Sequence, residues 1–123
     1  MNQLFLVGRL TKDPELNKLE GKSNCRITIA VKRLFKNADG IYDTDFINCT
    51  VWNVIAEKVC EYCHKGDFIS VKGRIQNNNY MDKNENMVYT YEIIAEQVSF
   101  LQSSNKDLEE NLDDAVSVKI EDS

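Results

Sequence analysis

The segment from Asp45 to Asn53 alternates strictly between two kinds of side chain, which constrains the fold more than any other feature of the sequence. Ile47, Cys49 and Val51 occupy every second position. The positions between them hold Phe46, Asn48, Thr50 and Trp52. Because successive side chains of a strand point to opposite faces, this pattern predicts a strand with one aliphatic core side. Its other side mixes polar groups with two aromatic rings, which we expect to be solvated.

Two further segments alternate in the same way. Arg26–Lys32 places aliphatic residues on one face and Arg26, Thr28 and Lys32 on the other. In Phe68–Ile75 the outward row contains Ser70, Lys72 and Arg74. Both patterns predict half-buried strands whose open face carries cations.

Turn signals separate these strands. The cluster Asn37–Gly40 predicts a hairpin from Leu34 to Thr44. A second hairpin is indicated by turn-forming residues on both sides of Tyr80, followed by a strand over Met87–Ala95. The one helix with an amphipathic stripe covers Val54–His64, and Gly66 follows it as a stop signal.

The order of these elements indicates the fold class. Three strands, one helix and two further strands form the layout of the OB-fold, an all-β, five-stranded Greek-key barrel with the helix between strands three and four. We therefore predict one OB-fold domain over residues 1–101.

The first strand differs from the others because Leu4, Phe5, Leu6 and Val7 are apolar without alternation. Such a strand requires burial on both faces, and a small barrel covers only one. We expect these four residues to form an interface with another copy of the chain. The alternative is cover from the chain's own last strand, Val98–Leu101.

The negative charge is concentrated at the C-terminal end. Residues 1–101 carry 13 basic and 13 acidic side chains, whereas residues 102–123 carry 2 basic and 7 acidic ones. The latter segment has no aromatic residue and a weak apolar pattern, so we predict an acidic, flexible tail over 102–123. The alternative is a short helix around Lys106–Val116.

Several other classes of protein are disfavoured. There is no run of 18 apolar residues, which argues against a membrane span, and Met1–Leu10 lacks the features of a secretory signal, so a cytoplasmic location is expected. Cys60-x-x-Cys63 with His64 could be a redox pair or half of a zinc site. Since no second such pair exists, we interpret the cysteines as apolar filler and expect no metal, no cofactor and no catalytic residue.

The sequence resembles the bacterial and phage single-stranded DNA-binding protein family over residues 1–101. The resemblance is carried by separated blocks in the correct order, Leu6–Leu10 with Asp13–Leu16, Asp45–Ile47 with Val51-Trp52, Ala56–Val59 with Tyr62 and Lys65-Gly66, and Val71–Arg74. It implies a binding protein that is not an enzyme.

The resemblance also implies four base-stacking residues, which fall on Phe35, Phe46, Trp52 and Tyr80. Alternation alone already places Phe46 and Trp52 on a polar face. Phe35 is in register with buried positions, so a bulge near Arg33 is needed to turn it outward. For Tyr80 the alternative is a turn tyrosine that covers the end of the barrel.

Stacking holds a strand without reading its sequence, because every base has a π-face. Cations along the same groove would neutralise phosphates. The candidates for phosphate contacts are Arg9, Lys32, Arg33, Lys36, Lys72 and Arg74. The implied function is the protection and organisation of single-stranded DNA, at the nucleoid, in replication, recombination and repair.

The family is typically a homotetramer that recruits replication and repair proteins through an acidic tip ending in Asp-Ile-Pro-Phe. This chain closes instead with Val118–Ser123, which contains neither Pro nor Phe. Recruitment of those partners is therefore in doubt. A different class of function stays open, namely an OB-fold adaptor that binds protein or another ligand.

Overall fold

The fold is given by a computed structural model that describes residues 1–104 and 118–121. Nine strands and one helix lie within these residues. The strands are β1 (Leu4–Leu10), β2 (Asn17–Leu19), β3 (Lys22–Lys36), β4 (Tyr42–Trp52), β5 (Phe68–Asn77), β6 (Tyr80–Met81), β7 (Met87–Val88), β8 (Tyr91–Gln102) and β9 (Val118–Glu121). The helix α1 spans Asn53–Tyr62.

The five long strands form a closed barrel. Their order is β1-β5-β8-β4-β3, and pairing of β1 with β3 closes the ring. All of these pairs are antiparallel except β4 with β8, which are parallel and meet at Thr50 and Ile94. Since α1 lies between the third and fourth long strands, the predicted OB-fold is confirmed, although the helix ends two residues before the predicted His64.

The core contains the inward rows that the alternation predicts. From β3, β4 and β5 it takes the fully buried Ile27, Ile29, Val51, Ile69 and Val71. The helix closes one end of the barrel with Ile55, Ala56 and Val59. The buried aliphatic row of each strand leaves its outward row facing solvent or a ligand, and aliphatic residues near the strand ends, such as Leu34 and Ile75, are exposed as well.

Strand β1 is only half buried. Leu6 packs against the core, whereas Phe5 is 69% exposed and Val7 is also exposed on the outer face. Residues 98–101 pair with β5 inside the sheet, so the alternative that they cover β1 is wrong. The interface with another copy stays a prediction.

Two short hairpins complete the body. β2 pairs with the start of β3 through a two-residue loop, Glu20-Gly21, in which both residues have positive φ, 54° and 80°. β2 is not predicted from the sequence, because its three residues show no alternation of apolar and polar side chains. The predicted second hairpin is confirmed as β6–β7, with Tyr80 opposite Val88, but the strand expected over 87–95 is divided between β7 and β8.

The C-terminal segment contributes one described element. β9 pairs antiparallel with β8, and Ile120 lies opposite Val98. Residues 105–117 and 122–123 lie outside the described residues, so the flexible tail and its helical alternative stay predictions. In the part of the chain that the structure describes, no helix is long and apolar enough to cross a membrane.

Gly73 lies where β5 meets β8 with a shift in register. A Cβ atom there would lie 2.3 Å from the carbonyl oxygen of Ile94. We predict that Gly73→Ala destabilises the barrel by about 1–3 kcal/mol, because the obstacle is backbone. Thermal unfolding followed by circular dichroism would show a drop of about 4–8 °C for each kcal/mol lost. Ser70→Ala on the same strand is the control, and equal melting temperatures for the two variants would contradict the prediction.

Candidate nucleic-acid interface

The outward side chains of β3 and β4, among them Phe46, Asn48 and Trp52, define one face of the sheet, here called the open face. Thr50, which the alternation also predicts to be solvated, is buried between Phe46 and Trp52. Phe46 lies opposite Ala30 and Trp52 lies opposite Asn24. Phe46 is 67% exposed and Trp52 is partly exposed. The two rings are on the same side of one strand and, six residues apart, are separated by about 20 Å. The structure thus brings two of the four predicted stacking residues onto one surface.

Trp52 borders a cleft of about 610 Å³, here called the Trp52 cleft. Lys22 and Arg74 also line it, and Arg74 forms an ion pair with Glu96 at 3.6 Å. The chain turns directly from Trp52 into α1 through Asn53, which has a φ of 58°. Asn is one of the few residues that tolerate this left-handed conformation, so the turn places the indole at the helix start.

Phe35 lies on the β3–β4 hairpin and is 83% exposed. The register of β3 against β4 shifts between Lys32, opposite Thr44, and Lys36, opposite Tyr42, so an irregularity lies at the position predicted for a bulge. That Phe35 shares a face with Phe46 stays a prediction. Lys32 and Lys36 flank Tyr42, with their Nζ atoms 4.7 and 5.6 Å from the centre of its ring. The hairpin therefore presents an exposed ring together with two cations.

Arg33 is held by acidic neighbours. Its Nε and Nη2 atoms donate to the carboxylate of Asp45 at 2.9–3.2 Å, and Nη1 lies 3.8 Å from Asp43. This hydrogen bonding holds the pKa of the Asp45 carboxyl below its usual value. A phosphate could reach Arg33 only by sharing or displacing that carboxylate.

The remaining predicted residues lie in other places. Tyr80 is exposed on the β6–β7 hairpin. Arg9 stacks over the ring of Phe68 at 5.3 Å and donates to the carbonyl of Gly66 at 2.9 Å. Lys72 lies opposite Phe5, on the outer face of β1 and β5. Neither Arg9 nor Lys72 lines the clefts that contain Phe46 or Trp52.

Sequence reasoning missed Tyr91 and Arg26 as members of the surface. Tyr91 shares a cleft of about 500 Å³ with Phe46, and Arg26 lines the smaller cleft beside it. The signal for Arg26 was its outward position in the alternation of β3. For Tyr91 no local signal existed, because its place in the same cleft as Phe46 depends on how β8 meets β4.

The four cysteines are free thiols. Burial raises the pKa of Cys25 to about 12, with further contributions from the neighbouring Cys60 and Cys63, and raises that of Cys49 to about 11. Thiols with such raised pKa values are poor nucleophiles at neutral pH. Among the described residues no three potential ligands are grouped to hold a metal ion.

These shifts predict a pH dependence of stability. Folding favours the neutral Cys49 thiol, so its contribution is fully present below pH 9 and is lost as the pH rises from 9 towards about 11. We expect the free energy of unfolding in urea to fall over this range, and to fall less steeply in Cys49→Ala. Tyrosines and lysines also titrate in this range, but they do so in both proteins, so the difference between the parent and Cys49→Ala reports on Cys49. Identical slopes of unfolding free energy against pH in the two proteins would contradict the role of Cys49.

A closed five-stranded barrel with exposed rings and cations on one face defines the class of OB-fold proteins that bind single strands. Residues 1–101 match the sequence profile described as the single-strand binding protein family. The chain belongs to this family.

Three curated relatives illustrate the similarity. The chain is 45% identical over 101 residues to single-stranded DNA-binding protein B of Bacillus subtilis, covering 81% of this chain and 89% of the relative. It is 44% identical to single-stranded DNA-binding protein 2 of Listeria monocytogenes, over 89% of this chain and 69% of that relative. It is 40% identical to single-stranded DNA-binding protein 1 of Clostridium acetobutylicum, over 86% of this chain and 98% of that relative. These names describe binding proteins, in agreement with the prediction that the chain is not an enzyme.

Proposed function

We propose that this protein binds single-stranded DNA without sequence preference, by stacking bases on exposed rings and neutralising phosphates with nearby cations. The observation that carries the proposal is the exposure of Phe46 on a strand whose inward residues Cys49 and Val51 are buried in the core. The names of the relatives support the same ligand.

The chemistry of the open face favours an unpaired strand. Stacking of a base on an aromatic side chain contributes about 1–3 kcal/mol in OB-folds of this family, whichever base it is. Bases inside a duplex are already stacked on each other, so they do not reach the rings. Protection of exposed single strands during replication, recombination and repair follows from this binding, as does a location at the nucleoid in the cytoplasm.

The phosphate contacts divide into two groups. Lys32 and Lys36 lie beside the exposed Phe35, and Arg74 lies beside Trp52, which suits a backbone that passes these rings. Arg33 must first exchange Asp45 for a phosphate. We therefore expect Arg33 to contribute less to the salt dependence than the two lysines.

The first test uses Trp52, the single tryptophan of the chain. Titration with oligo-dT is expected to quench its fluorescence, and added salt should restore it as the complex dissociates. Phe46→Ala should weaken binding about tenfold through the loss of one stacked base. Tyr62→Ala is the matched control, because Tyr62 is also an exposed ring, at 58%, but lies at the end of α1 and lines none of the clefts that contain Phe46, Trp52 or Phe35. A protein that folds and shows no quenching would support the adaptor alternative instead.

The proposal includes a homo-oligomer, most simply the family's tetramer, assembled through Leu4, Phe5, Leu6 and Val7. Two observations on β1 support it. Phe5 and Val7 are exposed apolar side chains on one face, and β1 pairs with β3 only at Arg9 and Leu10. One edge of Leu4–Gly8 therefore has no strand partner among the described residues, which leaves it open to a second copy.

We predict that Phe5→Asp lowers the oligomeric state, because it places a charge in the proposed apolar contact. Light scattering coupled to size-exclusion chromatography measures the molar mass directly. Leu19→Asp on β2 is the control, since Leu19 is similarly exposed outside β1. The interface would be refuted by a parent protein that is monomeric, or by a Phe5→Asp variant with the parent's mass.

A further inference from the structure

A second ring lines the same cleft as Phe46, between two strands. Tyr91, the first residue of β8, is 74% exposed. Together with Ile75 and Ile93 it lines the same cleft as Phe46, with a volume of about 500 Å³. Such a volume is within the range of sites that hold small ligands.

The topology explains why this cleft is open. β4 and β8 run parallel and are bridged at Thr50 and Ile94. Counting back from this bridge places Tyr91 level with Ile47, the neighbour of Phe46. At this level β8 is still paired with β5 on its other edge, through Asn77, but its edge towards β4 has no pairing among the described residues. The two strands thus separate below the bridge, and the gap has an aromatic side chain on each side.

A polar cleft of about 180 Å³ continues from this gap. It shares Asn48, Tyr91 and Ile93 with the apolar cleft and adds Arg26, Thr50, Asn78 and Glu92. The Oδ1 atom of Asn48 accepts a hydrogen bond from Thr28 at 2.6 Å, so its amide nitrogen is the group left to donate. Arg26 makes no ion pair with any residue that the structure describes. Flat apolar walls therefore adjoin a cation, an amide donor and the Glu92 carboxylate acceptor.

We propose that the two clefts together form a binding subsite for one unpaired nucleotide, in which Tyr91 and Phe46 stack on the base and Arg26 binds the phosphate. The inference rests on the proposed function and adds a fifth ring to it. Asn48 and Glu92 offer a donor and an acceptor to the base edge. A nucleotide matches this combination because it joins a flat π-face, a polar edge and an anion, and because the subsite is continuous with the open face.

The test compares two tyrosines that differ by two positions. Tyr89 is 77% exposed but lines neither cleft, so Tyr89→Ala is the matched control for Tyr91→Ala. With a dye-labelled oligo-dT and fluorescence anisotropy, Tyr91→Ala should bind about tenfold more weakly than the parent, and Tyr89→Ala should bind like the parent. Tyr91→Phe should retain the affinity, because stacking requires the ring and not the hydroxyl. Unchanged melting temperatures verify the fold of each variant.

Phe46→Ala and Trp52→Ala in the same assay distinguish a failure of the nucleotide subsite from a failure of the proposed single-stranded DNA binding. If they weaken binding while Tyr91→Ala matches Tyr89→Ala, the subsite is refuted and the proposed function stands. If the parent itself does not bind, the proposed function fails.

The phosphate contact has its own readout. Arg26→Gln should reduce the slope of log affinity against log salt by about 0.7, the value for one phosphate of a single strand. Lys58→Gln on α1 is the control, since Lys58 lines none of the clefts described above. A slope equal to the parent's in Arg26→Gln would overturn this contact.

Discussion

Burial of one side of each barrel strand is the interaction on which the rest of this structure depends. Ile29, Val51 and Val71 are almost completely inaccessible, and they fix the direction in which every neighbouring residue points. A slip of one residue in β4 would turn Phe46 and Trp52 inward and expose Val51. The same packing that stabilises the barrel therefore holds the rings apart from the core before any ligand arrives, so little ordering is needed on binding.

How far the sequence predicted this arrangement depends on the range of each interaction. Phe46 and Trp52 follow from alternation within one strand, and the irregularity of β3 between Lys32 and Lys36 lies where a local conflict in the same pattern predicts a bulge. Tyr91 was missed because its neighbour Phe46 lies on a strand 45 positions away, and only the parallel bridge at Thr50 and Ile94 brings the two together. Lys72 illustrates the opposite case, since its outward direction was predicted while the face it shares with Phe5 was not.

The cations of the surface are mostly engaged within the protein. Arg33 is held by Asp45, Arg74 by Glu96, and Lys32 lies over Tyr42. These contacts orient the side chains, but each carboxylate also offsets part of the positive potential. If a strand binds here as proposed, a count of basic residues on this surface overestimates how many counterions it would release, because the carboxylates already offset part of the charge.

The pairing of β9 with β8 gives the C-terminal segment a second physical role besides its acidity. An uncovered sheet edge is a template for strand addition by other molecules, and here Val118–Glu121 occupies the stretch of β8 from Gln97 to Phe100. A chain shortened ahead of Val118 would lose negative charge and at the same time acquire a surface prone to edge-to-edge aggregation. Val118–Glu121 thus acts on this edge through its backbone pairing, independently of its charge.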